Sequence, residues 1–145
     1  MQEHEHPQRT QRNQYRYLFA AKHHGSTAGA AQWSPDLSAE DEFAVFDRAD
    51  EWELADEDGN LYGVLPHGED SLRHLGIWHE QIAEFPCAAE GMPWHGYPLW
   101  PINHEGPSNR RKQKYRPEQE VLNRMVEVGL ITKPMRTRLM KGRHV

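Results

Sequence analysis

A single cysteine, Cys87, rules out an internal disulfide, so stability must come from packing or a metal, and the reducing cytoplasm is the expected compartment. Long apolar runs are also missing. No stretch approaches the roughly 20 residues that a membrane-spanning helix needs. The opening Met-Gln-Glu-His-Glu-His-Pro has neither the basic nor the apolar region of an export signal, so neither secretion nor membrane insertion is expected. Residues 25–32 are rich in Gly, Ala, Ser and Thr, yet they lack Gly-Lys-Ser/Thr and the G-x-G-x-x-G spacing, which argues against a phosphate-cradling loop. There is no Gly-x-Ser-x-Gly, and Cys87 lies between Pro86 and Ala88 without an activating neighbour. His79-Glu80 begins a His-Glu-x-x-His pattern, but Ala83 stands where the second histidine belongs, which removes the zincin reading.

What the chain does contain is aromatic surface on a polar background. Its 145 residues allow one domain with appendages. Only 37% are apolar and the mean hydropathy is -0.94. Five Trp, five Tyr and four Phe are nevertheless too many for a wholly disordered chain. The net charge of -5 is unevenly spread: residues 1–108 carry a net of -13, whereas residues 109–145 carry eleven Lys/Arg against three acids. Such asymmetry speaks about partners, not fold.

Periodicity and turn chemistry divide the chain. Residues 1–14 are polar and aperiodic and are expected to form a disordered arm, with His4 and His6 as solvated imidazoles. Tyr15, Tyr17, Phe19 and Ala21 alternate as one face of a first strand. Ser38 with Asp41 approximates a capping box, predicting a helix over residues 39–49 that buries Phe43 and Phe46. The loop 56–60, with Gly59 able to take positive φ, predicts a β-hairpin; Leu54 and Leu65 stand where a calcium loop would need oxygen ligands. Leu72, Leu75, Trp78, Ile82 and Phe85 recur at helical steps, predicting a helix that starts at Ser71 and stops at Pro86. Residues 107–116 read as a basic linker. Pro117, Gly129 and Thr132 then frame an αα-hairpin over residues 117–145. The expected architecture is a small α+β domain over residues 15–106, with a short antiparallel sheet and one or two helices, followed by the linker and the basic hairpin.

Residues 92–102 draw most functional interest. Pro93, Pro98 and Pro101 forbid helix and stiffen an extended loop, so Trp94, Tyr97 and Trp100 would lose little entropy on meeting a partner. The loop is expected to lid the core, leaving His95, Tyr97 and a gap at Gly96 exposed. His95 and Glu80 are the candidate catalytic residues: His95 for its place in that loop, and Glu80 for lying one helical turn from Glu84. The metal candidates are His79, His95 and His104, which would need the tertiary fold to assemble a Zn²⁺ site; no other cofactor is implied. Arg110, Arg111, Lys112, Lys114 and Arg116 in the linker, with Lys133, Arg136, Arg138 and Lys141 on the last helix, form the footprint of a nucleic-acid or acidic-surface contact. The acidic run from Asp36 to Asp58 holds eleven carboxylates against Arg48 alone, a docking face for a basic partner or for another copy's basic tail. The reading that fits best is a small cytoplasmic, non-enzymatic binding protein. A His-dependent or metal-assisted enzyme around the 92–104 loop is the alternative.

Overall fold

The computed structural model describes residues 3–9, 16–20, 32–99 and 117–145. Strands β1 (Glu3–Arg9) and β2 (Arg16–Ala20) pair antiparallel. The expected arm therefore differs at residues 3–9, where backbone pairing supplies the order that apolar periodicity does not. Helix α1 (Ala39–Glu51) starts where the capping box placed it: the Ser38 side chain accepts from the Asp41 amide, and the Asp41 carboxylate accepts from the Ser38 amide. The hairpin across residues 56–60 is reduced to a single bridge, Ala55 to Leu61. Its turn is tied by Asp56 Oδ1, which accepts from the amides of Asp58 and Asn60, while Gly59 takes φ 84°. Strand β3 (Leu61–Gly63) then pairs with β6 (Ala83–Phe85), and β6 pairs with β7 (Tyr97–Pro98), giving a three-stranded antiparallel sheet. The short strands β4 (Pro66–His67) and β5 (Ser71–Leu72) form a separate antiparallel pair.

The helix expected over residues 71–85 is not formed. Its apolar stripe is buried at Leu72, Leu75, Ile82 and Phe85, but the backbone takes distant partners. The Leu75 carbonyl accepts from Ser34 N at 2.7 Å, Ile77 N donates to the Gln32 carbonyl at 3.1 Å, and the Ile82 carbonyl accepts from Leu99 N at 2.8 Å. A backbone group satisfied across the fold is not available to an i, i+4 ladder. His79 adopts φ 67°, which breaks any helix at that point. Trp78, assigned to the buried stripe, is 40% exposed.

The core is aromatic. Tyr17 packs on Phe46 with ring centroids 4.9 Å apart, Phe46 on Phe85 at 5.2 Å, and Trp94 on Phe46 at 6.1 Å. Helices α2 (Gln119–Glu127) and α3 (Lys133–Met140) form the C-terminal helix pair. Gly129, φ 80°, turns the chain after α2, and the Thr132 hydroxyl accepts from Met135 N to start α3. Val121, Leu122, Met125, Leu130, Ile131, Met135 and Leu139 enter the same buried cluster as Leu54 and Phe46. Arg124 Nε donates to the Trp52 carbonyl, and the Gln81 side chain holds both the amide and the carbonyl of Val145. The fold is thus α+β, with the helix pair built into its core. Among the described residues no helix is long and apolar enough to cross a membrane.

Candidate functional site

The 92–99 segment is extended, as its prolines require, and its aromatic residues face inward. Trp94 is only 5% exposed, and its backbone bridges Tyr17 of β2. Trp33 Nε1 donates to the Gly96 carbonyl at 3.0 Å, pinning the loop across the core. Gly96 is buried and leaves no gap: a methyl group there would stand 2.6 Å from Phe85 Cε1 and 2.7 Å from the Glu84 carbonyl oxygen. Glycine is needed for close approach of the chain to Phe85, not to admit a ligand. His95 is exposed and has no hydrogen-bond partner among the described residues. Tyr97 is half-buried and donates through its hydroxyl to Glu84 Oε1 at 3.2 Å.

Glu80 and Glu84 do not share a helix face. Glu80 is fully buried beside Gly76, and its Oε1 accepts from the Trp78 amide at 2.9 Å. Glu84 belongs to β6 and joins a polar network that sequence spacing could not signal. The Tyr62 hydroxyl lies 2.9 Å from Asp56 Oδ2 and 3.3 Å from Glu84 Oε2, and Asn60 Nδ2 donates to the same Asp56 oxygen. Burial, then the charges of Glu84 and Asp56, push the Tyr62 hydroxyl far above its ordinary pKa, so it is a fixed proton donor and not a base. Burial alone would raise the Asp56 carboxyl. The side chains of Asn60 and Tyr62 and the amides of Asn60 and Asp58 outweigh it and hold the carboxyl low. The network staples the 56–60 turn to the sheet. Its groups are mutually satisfied, which suits structure better than catalysis.

Neither family models, nor curated proteins, nor solved structures match this chain. The site must be read from its own geometry.

Of the metal candidates, His79 is not joined to His95 by any contact among the described residues, and His104 lies outside them. Instead His79 meets His74, their Nδ1 atoms 3.1 Å apart, and the His144 ring lies 5.8 Å from that of His74. Burial, and then the neighbouring charges of His79 and His144, lower the pKa of His74. An open cleft of about 410 Å³ runs beside this group, between His67, Ser71, Arg73, His74 and Val145. Elsewhere the carboxylates of Glu57, Glu118 and Glu120 come within 4.8 Å of one another at the surface, a grouping common without any ion.

Trp100 and the linker cations Arg110, Arg111, Lys112, Lys114 and Arg116 lie outside the described residues. On the C-terminal helix pair, Lys133, Arg138 and Lys141 are exposed, and so is Arg143, which follows them. Arg136 is half-buried, its Nη1 donating to Asn123 Oδ1 at 2.8 Å, so it serves the helix pair itself. Met135 and Leu139 occupy the opposite, buried side of α3. The helix is anchored by its apolar side and presents its cations outward.

Proposed function

We propose that this is a non-enzymatic, cytoplasmic binding protein that contacts nucleic-acid phosphates through the outward face of α3. The observation that carries this reading is the set of exposed cations Lys133, Arg138, Lys141 and Arg143 on a stretch, residues 128–145, that holds no carboxylate side chain. Phosphate contact needs clustered cations on a rigid support, and burial of Met135 and Leu139 supplies the support. In the sequence, the basic stretch 110–116 extends the same footprint. An eight-residue α3 favours backbone contact over reading of base edges.

The exposed acids Asp36, Glu40, Glu51, Glu53, Glu57 and Asp58 would be repelled by a polyanion. They suit a basic protein partner, or the basic face of a second copy. The enzyme alternative gains nothing from Glu80, which is buried, or from His95, which stands alone on the surface.

The test is binding of the full chain to a random-sequence duplex over a salt series. Four phosphate contacts predict a slope of about -3.6 in log affinity against log salt, roughly a 100-fold loss between 50 and 200 mM. Changing Lys133, Arg138 and Lys141 to Glu should abolish the affinity while leaving the circular-dichroism spectrum unchanged. A flat salt dependence, or unchanged binding by the triple variant, refutes the proposal.

A further inference from the structure

The histidine group at the C-terminal edge of the fold has a geometry that sequence spacing gave no reason to expect. His74 follows β5, His79 sits five residues later, and His144 arrives from the far end of the described chain. Two imidazole nitrogens 3.1 Å apart admit either a shared proton or a shared ion. Ligand nitrogens at 2.0–2.1 Å from one ion stand about 3.3 Å apart at a tetrahedral angle and about 2.9 Å apart at a right angle. The observed separation falls between these limits. Rings bound to one ion have centroids roughly 4.5–5.5 Å apart. The His74–His79 pair, at 4.8 Å, lies inside that range, and the His74–His144 pair, at 5.8 Å, lies just beyond it. As the fold stands, the ligand atoms of the three rings do not all come within 4.8 Å of one another, so a shared ion requires the exposed His144 side chain to move in from its present position.

The backbone supports the same arrangement. His79 is one of two non-glycine residues described with positive φ, and its amide donates to the Gly76 carbonyl at 3.1 Å, closing a turn that sets its ring beside His74. Gln81 Nε2 donates to the carbonyls of both Leu72 and Val145, holding the residue after His144 against the end of β5. Each ring is therefore carried by a segment whose position is fixed by hydrogen bonds outside the group.

We propose that His74, His79 and His144 form a binding site for a divalent first-row transition ion of the kind that prefers imidazole, with Zn²⁺ as its representative. Three imidazoles would leave a coordination position for water or an anionic ligand. Bound there, the ion links the 73–80 segment to the C-terminal stretch and raises the stability of the fold by mass action.

The test is calorimetric titration of the metal-free full chain with Zn²⁺. One ion per chain is expected, with a rise in the thermal midpoint at saturating Zn²⁺. His74→Gln and His79→Asn should each weaken binding at least tenfold, and Asn tolerates the left-handed backbone at position 79. His144→Ala should weaken it by a smaller factor. His95→Ala, the double change His4→Ala with His6→Ala, and Glu118→Gln should bind as the parent does. Nitrogen-15 resonances of the His74 and His79 rings should shift together on Zn²⁺ addition, a readout that does not depend on any variant folding. Absence of binding overturns the proposal. So does parental affinity in both ring variants, or loss of binding confined to His95, the His4/His6 pair or Glu118.

Discussion

Changing Gly96 to Ala separates the two meanings a glycine can have in an aromatic loop. If Gly96 opened a path for a ligand, an added methyl would leave stability alone and weaken binding. In the structure that methyl would meet Phe85 Cε1 at 2.6 Å and the Glu84 carbonyl oxygen at 2.7 Å, both well inside van der Waals contact. Phe85 cannot give way freely, because its ring touches those of Tyr17, Phe46 and Trp33, with centroids 5.7, 5.2 and 6.3 Å away. The Glu84 carbonyl belongs to β6, in the middle of the three-stranded sheet, and is no easier to move. Moving the loop outward would stretch the 3.0 Å bond from Trp33 Nε1 to the Gly96 carbonyl. Overpacking of a tight core costs about 1–3 kcal/mol, and the absence of any soft neighbour places this site near about 3 kcal/mol. For a chain of this size that is a fall of roughly 6–12 °C in thermal midpoint. Urea unfolding followed by tryptophan fluorescence measures it directly. A Gly96→Ala protein within about 0.5 kcal/mol of the parent would refute the close-packed account and restore the reading of position 96 as open space.

Two other outcomes follow from the buried polar groups. Tyr17→Phe removes the hydroxyl that donates to buried Glu42 Oε2 at 2.6 Å, a charge-assisted bond whose loss should lower unfolding free energy by about 1.5–3 kcal/mol in urea titrations; a change under about 0.5 kcal/mol would contradict it. The depressed Asp56 carboxyl sets an acid limit: its folded pKa lies below the ordinary 3.8, so the folded state binds fewer protons than the unfolded one in that window. Its contribution is complete above 3.8 and is lost as pH falls through the folded pKa. The urea midpoint should therefore drop below about pH 4, Asp56→Asn should flatten that drop, and a parental slope in the variant would refute the assignment.

The parts of the fold that were legible in the sequence are those whose determinants are local. Helix α1 begins at Ser38 and Asp41, and α3 at Thr132, because a cap hydrogen bond needs only residues three apart. Gly129 marks the turn between α2 and α3 for the same reason. The 71–85 segment misleads because spacing records which side chains are buried and not where the backbone bonds go. Leu72, Leu75, Ile82 and Phe85 are all buried, through a strand, a left-handed turn and a second strand instead of one helix face. The candidate site suffered in the same way. His74 and His79 are five residues apart, a step that joins nothing on a helix, and it is a turn with positive φ at His79 that carries the two rings side by side. What surrounds Gly96 and Glu80 is not written in their spacing, because a glycine's neighbours and a carboxylate's burial are tertiary facts.

The charge asymmetry, which is plain in the sequence, invites the picture of an acidic body with a detachable basic tail, and that picture would misdirect the central experiment. Residues Val121, Leu122, Met125, Leu130, Ile131, Met135 and Leu139 are buried in the same cluster as Leu54, Phe46 and Phe85. Cutting the chain after Ser108 would strip that cluster of seven apolar side chains. Each is worth about 1.5–3 kcal/mol when fully buried, together about 10–20 kcal/mol, as much as or more than the 5–15 kcal/mol by which a domain is stable. Loss of nucleic-acid binding after such a cut would report unfolding as readily as loss of phosphate contacts. Charge reversal at Lys133, Arg138 and Lys141 acts on side chains that are exposed and leaves Met135 and Leu139 in place. The helix pair is therefore best understood as a wall of the core whose outer surface is basic, and only changes confined to that surface can assign it a partner.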